Sequence, residues 1–203
     1  QMVALLNGFG GAASMLVAAA ELTSTRAVSR FEESARQASA AASLEPWTQF
    51  AIAIGLACFI GSVTLTGSLV AFGKLQELPQ FKKPWNNPNR QWINLALAVT
   101  ALLLLWGVFG TSQLLFFLLL VLVAAALGVT LTLPIGGADM PVVICLLNSY
   151  SGLAAAAAGF VIDNSVLVIA GSLVGASGLI LTAIMCKAMN RSLVGVLFGC
   201  LGI

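Results

Sequence analysis

The most apolar stretch of the chain covers residues 114–133 and reads LLFFLLLVLVAAALGVTLTL. A transmembrane helix needs about 20 predominantly apolar residues, because the hydrocarbon core of a bilayer is about 30 Å thick. This stretch meets that requirement without a charged residue. Since it offers almost nothing suited to chemistry, we interpret it as a scaffold or lipid-facing span.

Five further stretches have the same apolar character. The predicted spans are residues 2–22, 47–72, 92–109, 140–162 and 165–186. Backbone polar groups inside a bilayer must be hydrogen-bonded within the protein, and strand-like alternation is weak here, so helices are favoured over a barrel. The sequence therefore predicts an all-α membrane protein, a bundle of six transmembrane helices.

The composition excludes several classes of protein. Of 203 residues, 60% are hydrophobic and 8% are charged, whereas a soluble domain carries roughly 25% charged residues. A net charge of +2 is too small for an electrostatic nucleic-acid binder. Histidine is absent and no glycine-rich dinucleotide motif follows a strand, so we expect no catalytic, metal or cofactor-binding residues here.

The charges predict the orientation of the spans. If the spans alternate, residues 73–91 and 187–191 share one face with six Lys and Arg, while residues 21–45 hold three Arg near four Glu. By the positive-inside rule, the 73–91 loop and the C-terminus are cytoplasmic. The spacing of Glu32 and Arg36 also predicts a short surface helix in the first polar stretch.

Two spans carry unusual polar or small residues. Asn148, Ser149 and Ser151 lie about two turns, or roughly 10 Å, inside the membrane, either along a hydrated path or as hydrogen-bonding contacts between helices. In residues 165–186, small residues are typical of close helix packing, or alternatively of a helix that slides against its neighbour. These small residues are Gly171, Gly175 and Gly178, with Ser177 beside them.

Asp139 directly precedes the span that begins near Pro141. Its carboxylate either caps the helix N-terminus or places a charge at the mouth of a hydrophilic path. Lys187 and Arg191, on the same predicted face, are its natural electrostatic partners, or else simple flanking charges of a positive-inside end.

Four stretches resemble one known family. They are GGADMPVVICLLNSYSGLAAAAAGF at 136–160, GSVTLTGSLVAFGKL at 61–75, GSLVGASG at 171–178 and IMCKAMNRS at 184–192. They closely resemble the membrane region of the β subunit of proton-translocating NAD(P) transhydrogenase. In that family further helices precede these six and a soluble NADP(H)-binding domain follows, so residues 187–203 would begin the connection to that domain.

The resemblance implies a division of labour. Soluble domains would pass a hydride from NADH to NADP⁺, and this membrane domain would couple the transfer to inward proton movement. NAD(H) and NADP(H) would act in the complete enzyme and neither would bind this chain. The implied partners are the remaining membrane helices, the soluble NAD(H)- and NADP(H)-binding domains, the lipid of a bacterial cytoplasmic membrane, and a second copy in a dimer.

The resemblance also implies residue roles. The proton path would include Asn7, Asn148, Ser149 and Ser151; the coupling gate would include Asp139, Lys187 and Arg191; helix packing would involve Gly171, Gly175, Ser177 and Gly178.

One departure from the family concerns Asn7. Many members have a histidine in a Leu-His-Ser-Phe-like sequence where this chain has Leu6-Asn7-Gly8-Phe9. Asparagine does not titrate near neutral pH, so either water or a titratable group outside this chain would carry the proton. The rival functions are a secondary transporter or channel for a small solute, and a structural anchor for a soluble enzyme.

Overall fold

The computed structural model describes residues 1–24, 46–79, 81, 89–111 and 113–198. Within these residues, six helices are long and apolar enough to cross a membrane. The elements are α1 (Met2–Leu22), α2 (Pro46–Leu75), α3 (Arg90–Thr111), α4 (Leu114–Thr132), a 3₁₀ turn (Gly137–Asp139), α5 (Met140–Val161), α6 (Ser165–Ala188) and a short α7 (Leu193–Phe198).

The predicted fold class is confirmed. Each of the six predicted spans corresponds to one long helix, and α2 shows the largest difference because it continues to Leu75 instead of ending at residue 72. Lys74 therefore belongs to a helix and not to the polar loop. The surface helix predicted from Glu32 and Arg36 lies outside the described residues.

Helices α2 and α5 form the centre of the bundle and are the most buried of the six. Helix α1 packs against both of them, α4 packs on α2, and α6 packs mainly on α5. Helix α3 covers α4 at the periphery and is largely exposed, including Trp92 and Trp106 near its ends. Exposed apolar side chains on α3 and α6 suit contact with lipid or with further membrane helices.

Small residues bring the central helices into close contact. A Cβ atom at Gly11 in α1 would lie 2.6 Å from the carbonyl oxygen of Gly61 in α2, so only a glycine fits there. Gly128 in α4 likewise approaches the carbonyl oxygen of Val63 in α2. Close approach of this kind stabilises helix contacts in a membrane by van der Waals packing, because lipid is as apolar as the protein interior and the hydrophobic effect does not drive the helices together.

Three helices end in the same type of turn. Glu77, Asp163 and Asn190, each two residues after the end of its helix, have positive φ angles of 52°, 55° and 53° and follow α2, α5 and α6 respectively. In each turn the next backbone N–H reaches a carbonyl of the last helical turn, which satisfies groups that the helix end leaves unpaired. The side-chain amide of Gln1 also donates to the carbonyl of Leu75 at 2.9 Å, so α1 begins at the end of the bundle where α2 stops.

Candidate functional site

Helix α5 presents two polar faces to two different neighbours. Ile144, Asn148 and Ser151 follow the spacing of one helix face. This face lies against α1, since a Cβ atom at Gly10 would lie 2.5 Å from the hydroxyl oxygen of Ser151. Ser149 lies on the other polar face, against α6.

Asn7 joins α1 to the first of these faces. Its side chain is only 5% exposed, and its amide nitrogen donates to the backbone carbonyl of Ile144 at 3.1 Å. Ile144 is one helical turn before Asn148, or about 6 Å along the axis. The structure therefore brings Asn7, Asn148 and Ser151 together in one region, which we call the α1–α5 cleft.

The α1–α5 cleft is closed at Asn7 and Gly10 but leaves two polar side chains of α5 partly exposed. The side chains of Asn148 and Ser151 are partly exposed, while Asn7 is buried. Among the described residues, neither Asn148 nor Ser151 has a side-chain hydrogen bond to the protein. Their polar groups are therefore available to water or to a group from another helix.

The hydroxyl groups of α2 form a second polar row. Ser62 and Thr64 donate to the carbonyls four residues earlier at 2.7 Å, which is a common arrangement for hydroxyls within a helix. Thr66 lies 3.1 Å from the carbonyl of Ser62 and 2.9 Å from that of Ala125 in α4. Ser68 differs, because its fully buried hydroxyl has no hydrogen-bond partner in the described part of the chain. Ser68 packs against Gly8, next to Asn7, and no signal in the sequence separates Ser68 from the other hydroxyl residues of α2.

Ser149 belongs to a helix contact and not to the α1–α5 cleft. It is fully buried, and its hydroxyl donates to the carbonyl of Gly175 in α6 at 2.5 Å. A Cβ atom at Gly171 would lie 2.5 Å from the backbone nitrogen of Ala156, and one at Gly178 would lie 2.8 Å from the Cβ atom of Ser149. The structure thus joins the three glycines in one close contact with α5.

Ser177, expected to act with these glycines, lies elsewhere on α6. Its side chain is exposed, and its hydroxyl donates to the carbonyl of Val174 at 3.2 Å within the same helix. It takes no part in the contact between α5 and α6.

Asp139 forms an ion pair at the start of α5. One of its carboxylate oxygens lies 3.8 Å from Nε of Arg191, and the two side chains are 17% and 57% exposed. Asp139 occupies the position before the helix but makes no capping hydrogen bond through its side chain, so the capping interpretation is wrong. Its carboxylate oxygen Oδ1 has no hydrogen-bond partner within the described residues.

The turn after α6 places Arg191 near Asp139. Asn190 adopts the left-handed conformation, which asparagine tolerates better than most residues. The backbone N–H of Arg191 then donates to the carbonyl of Cys186 at 2.9 Å. Lys187 lies exposed in the last turn of α6.

An open cavity of about 510 Å³ lies at this end of the bundle. It is bordered by the last turns of α6, by the residues that connect α6 to α7, and by the start of α7. Its polar lining comes from Lys187, Asn190, Arg191 and Ser192. The cavity leaves Lys187 and Arg191 accessible to a soluble group of negative charge, and of these two cations only Arg191 pairs with Asp139 in the described part of the chain.

Lys74 is a second residue that sequence reasoning missed. Its ammonium group donates to the backbone carbonyls of Thr132 and Ile135 at 3.3 and 2.6 Å, and also to that of Leu133. These carbonyls belong to the last residue of α4 and to the residues after it, which lead into the turn that carries Asp139. The sequence signal was a single charge at the end of a long apolar helix, which was counted only as a loop charge.

The described residues give no group of three His, Cys, Asp or Glu side chains that could hold a metal ion. Ranges 1–24, 46–79, 89–111 and 113–198 form helices and connecting turns without strands. The strand, glycine turn and helix that cradle a dinucleotide phosphate are therefore not formed in this part of the chain.

Residues 1–202 match the family model described as NAD(P) transhydrogenase beta subunit. The chain belongs to this family. Two relatives, both the NAD(P) transhydrogenase subunit beta of Rhodospirillum rubrum, are each 42% identical over 202 residues. The match covers 100% of this chain and 41% of each relative, so the chain spans about two fifths of the length of these relatives.

Membership of the transhydrogenase beta subunit family confirms the resemblance drawn from the four sequence stretches. Together with the six long apolar helices, it makes the chain a multi-pass membrane protein. The comparisons support the transhydrogenase interpretation and not the rival of a solute transporter or channel.

Proposed function

We propose that this chain is the proton-conducting part of a proton-translocating NAD(P) transhydrogenase. The complete enzyme would transfer a hydride from NADH to NADP⁺ in soluble domains while protons cross the membrane. One observation carries the proposal: α5 bears the α1–α5 cleft on its side and the Asp139–Arg191 ion pair at its start. A single helix thus connects a polar region within the membrane to a charged site at its edge.

The proton path that we propose runs through the α1–α5 cleft. Asn7, Asn148 and Ser151 would order water molecules, and Ser68 beside them would add a hydroxyl group. Asparagine and serine do not titrate near neutral pH, so they can orient a chain of water but cannot store a proton. A titratable group, if one is needed, would come from another helix of the complete enzyme.

The gate that we propose lies at Asp139, with Arg191 and Lys187. Its exposed cations and open cavity suit contact with a soluble NADP(H)-binding domain. A change in that domain on hydride transfer would alter the contacts of Asp139 and so the access of water to the cleft. Residues 187–203 would lead towards this domain, with Val196 of α7 buried in the bundle as its fixed point.

NAD(H) and NADP(H) would bind to parts of the enzyme outside this chain, as the resemblance to the transhydrogenase beta subunit implies. The enzyme would also contain further membrane helices and would act as a dimer. The end of the bundle with Lys74, Arg90, Lys187 and Arg191 would face the cytoplasm of a bacterial cell, in accordance with the positive-inside rule.

The test uses inverted membrane vesicles that contain the complete enzyme. Hydride exchange between NADH and an NADP⁺ analogue is followed by absorbance while a fluorescent probe reports the internal pH. We expect the parent to couple the two processes, and Asn148→Leu and Asp139→Asn to reduce proton movement more than NADP(H) binding. Ser172→Ala, an exposed change on α6, serves as the matched control and should behave as the parent.

Two outcomes would contradict the proposal. Exchange without proton movement in the parent would favour a structural anchor that only docks the soluble domains. Full proton movement in Asn148→Leu, in a complex of normal composition, would remove the α1–α5 cleft from the path.

A further inference from the structure

Lys74 makes an unusual set of hydrogen bonds at the end of α2. Its ammonium group has three donors, and the backbone carbonyls of Thr132, Leu133 and Ile135 accept from it. The side chain is only partly exposed. A lysine whose donors are all directed to one short backbone segment holds that segment to its own helix.

The electrostatics of this position favour the same contact. Both α2 and α4 end here, and the last carbonyls of a helix carry partial negative charge. A cation placed between two such ends interacts favourably with both. The Thr132 carbonyl also accepts from the backbone N–H of Ile135 at 3.2 Å, whereas Lys74 is the hydrogen-bond donor to the carbonyls of Leu133 and Ile135 in the described part of the chain.

The segment held by Lys74 leads directly to Asp139. The side chain of Ile135 is 3% exposed and that of Met140 is 0% exposed, so the connection is fixed at both ends. Between them, no atom lies within 4 Å of a Cβ position at Gly136 or Gly137. The backbone before Asp139 is therefore anchored at Ile135, whereas Gly136 and Gly137, which follow Ile135, have no packing contacts at their Cβ positions.

The carboxylate of Asp139 has little else to hold it. Its Oδ1 atom has no hydrogen bond within the described residues, and its ion pair with Arg191 is long at 3.8 Å. Its place relative to Arg191 therefore depends on the backbone on both sides of it. On the α4 side, that backbone is held by Lys74.

We propose that Lys74 is a positioning residue for the coupling gate: by holding the backbone of residues 132–135, it keeps the Asp139 carboxylate within reach of Arg191. The proposal rests on the proposed function, because it assigns Asp139 to the gate. The contact of Lys74 also links the gate to α2. The same helix carries Ser68 beside the α1–α5 cleft, about 9 Å from Lys74 along the helix axis. A movement of residues 132–139, which we call the gate segment, would thus be transmitted to α2, a helix that lines the path.

The experiment uses the complete enzyme in vesicles, with Lys74→Met, Lys74→Arg and the control Gln76→Met. Gln76 lies in the same region, but its side chain bonds to Gln1 and not to the gate segment. A spin label on Ala138→Cys reports the mobility of the turn, and the same labelling of enzyme without this cysteine gives the background. Cys58, Cys145 and Cys186 are buried, and Cys200, which lies outside the described residues, is replaced by serine in all of these proteins.

We expect Lys74→Met to increase the mobility of the label and to lower the ratio of protons moved to hydride transferred by about fivefold, the low end of typical coupling factors. Lys74→Arg, which keeps the charge and several donors, should restore most of the ratio, and Gln76→Met should match the parent. Adding Asp139→Asn to Lys74→Met should cause less than about a twofold further loss, because the two changes affect one gate.

The outcomes separate this inference from the proposed function. If the parent moves no protons, the proposed function fails, whereas the label still shows whether Lys74 holds the turn. If the parent is coupled and Lys74→Met keeps both the ratio and the label mobility of the parent, the inference is overturned.

A second perturbation applies if Lys74→Met does not assemble. One glycine inserted between Gly136 and Gly137 leaves Lys74 and its three acceptors in place but breaks the fixed distance from Ile135 to Asp139. We expect this enzyme to assemble and to lose coupling. Normal coupling after the insertion would overturn the inference as well.

Discussion

Replacement of Gly171 by alanine tests how closely α5 and α6 pack. A Cβ atom at this position would lie 2.5 Å from the backbone nitrogen of Ala156 and 2.6 Å from the carbonyl oxygen of Gly152. Backbone atoms cannot rotate away from the added methyl group. The two helices must therefore separate locally by about 1 Å before ordinary van der Waals contact is restored.

Three terms decide the expected loss of stability. Overpacking costs about 1 to 3 kcal/mol. The hydrogen bond from Ser149 to Gly175, one turn away, stretches as the helices separate, and bonds of this type in membranes contribute about 0.6 kcal/mol. The better helix propensity of alanine returns at most about 1 kcal/mol. The net loss is about 1 to 3 kcal/mol, a factor of roughly 5 to 150 in the folding equilibrium.

The assay is reversible unfolding of the complete beta subunit in mixed micelles of increasing SDS content, followed by the circular dichroism of its helices. Ser172→Ala, at the next position and exposed, is the control and should leave the midpoint unchanged. A Gly171→Ala protein as stable as the parent, or more stable, would show that helix propensity outweighs the contact. The contact between α5 and α6 would then be looser than we describe.

The remaining predictions concern single polar contacts. Ser149→Ala should lower stability by about 0.6 to 1.7 kcal/mol in the same SDS titration, since it removes one buried hydrogen bond between helices. Asn7→Leu removes the donor to the Ile144 carbonyl and should reduce proton movement in vesicles while NADP(H) binding persists; unchanged proton movement would exclude Asn7 from the path. A double-mutant cycle of Asp139→Asn and Arg191→Gln should give an interaction of about 0.2 to 1 kcal/mol that weakens with added salt, because Arg191 is largely exposed; an interaction insensitive to salt would refute this.

The sequence predicted the helices well for a physical reason. A bilayer requires an unbroken apolar stretch of fixed length, so the length and hydropathy of residues 114–133 determine the element almost by themselves. The extension of α2 to Leu75 was missed because a lysine was taken to end the span. A lysine can remain helical at the membrane edge when its charged end finds partners, and Lys74 does so.

The face of a helix was partly predictable. The spacing of Gly171, Gly175 and Gly178 correctly placed them on one side of α6. Ser177 precedes Gly178 by one residue and thus lies about 100° around the helix, so its exposed position followed from the same geometry. The prediction grouped Ser177 with the glycines because it is adjacent to Gly178 in the sequence, but adjacent residues of a helix lie on different faces.

The partners of the polar residues could not be predicted from the sequence. Asn7 and Lys74 both donate to backbone carbonyls, which every residue possesses. A sequence pattern cannot identify which carbonyl accepts such a bond, because any residue type can supply a backbone carbonyl. The position of Ser149 was open for a similar reason, since a serine on α5 could face either α1 or α6.

Helix α5 is held at two points on different sides. Asn7 bonds to the carbonyl of Ile144 on one side, and the hydroxyl of Ser149 bonds to the carbonyl of Gly175 on the other. Rotation of α5 would break both bonds together, so we expect it to keep its orientation throughout turnover. Under the proposed function, rearrangement beside α5 would then involve the partly exposed Asn148 side chain, nearby water and the neighbouring helix α2. Exposed side chains move within picoseconds to nanoseconds, whereas collective motions of helices and domains take microseconds to milliseconds. If the proposed function holds, we expect these slower collective movements, and not the side chain or the water, to limit the opening of the path.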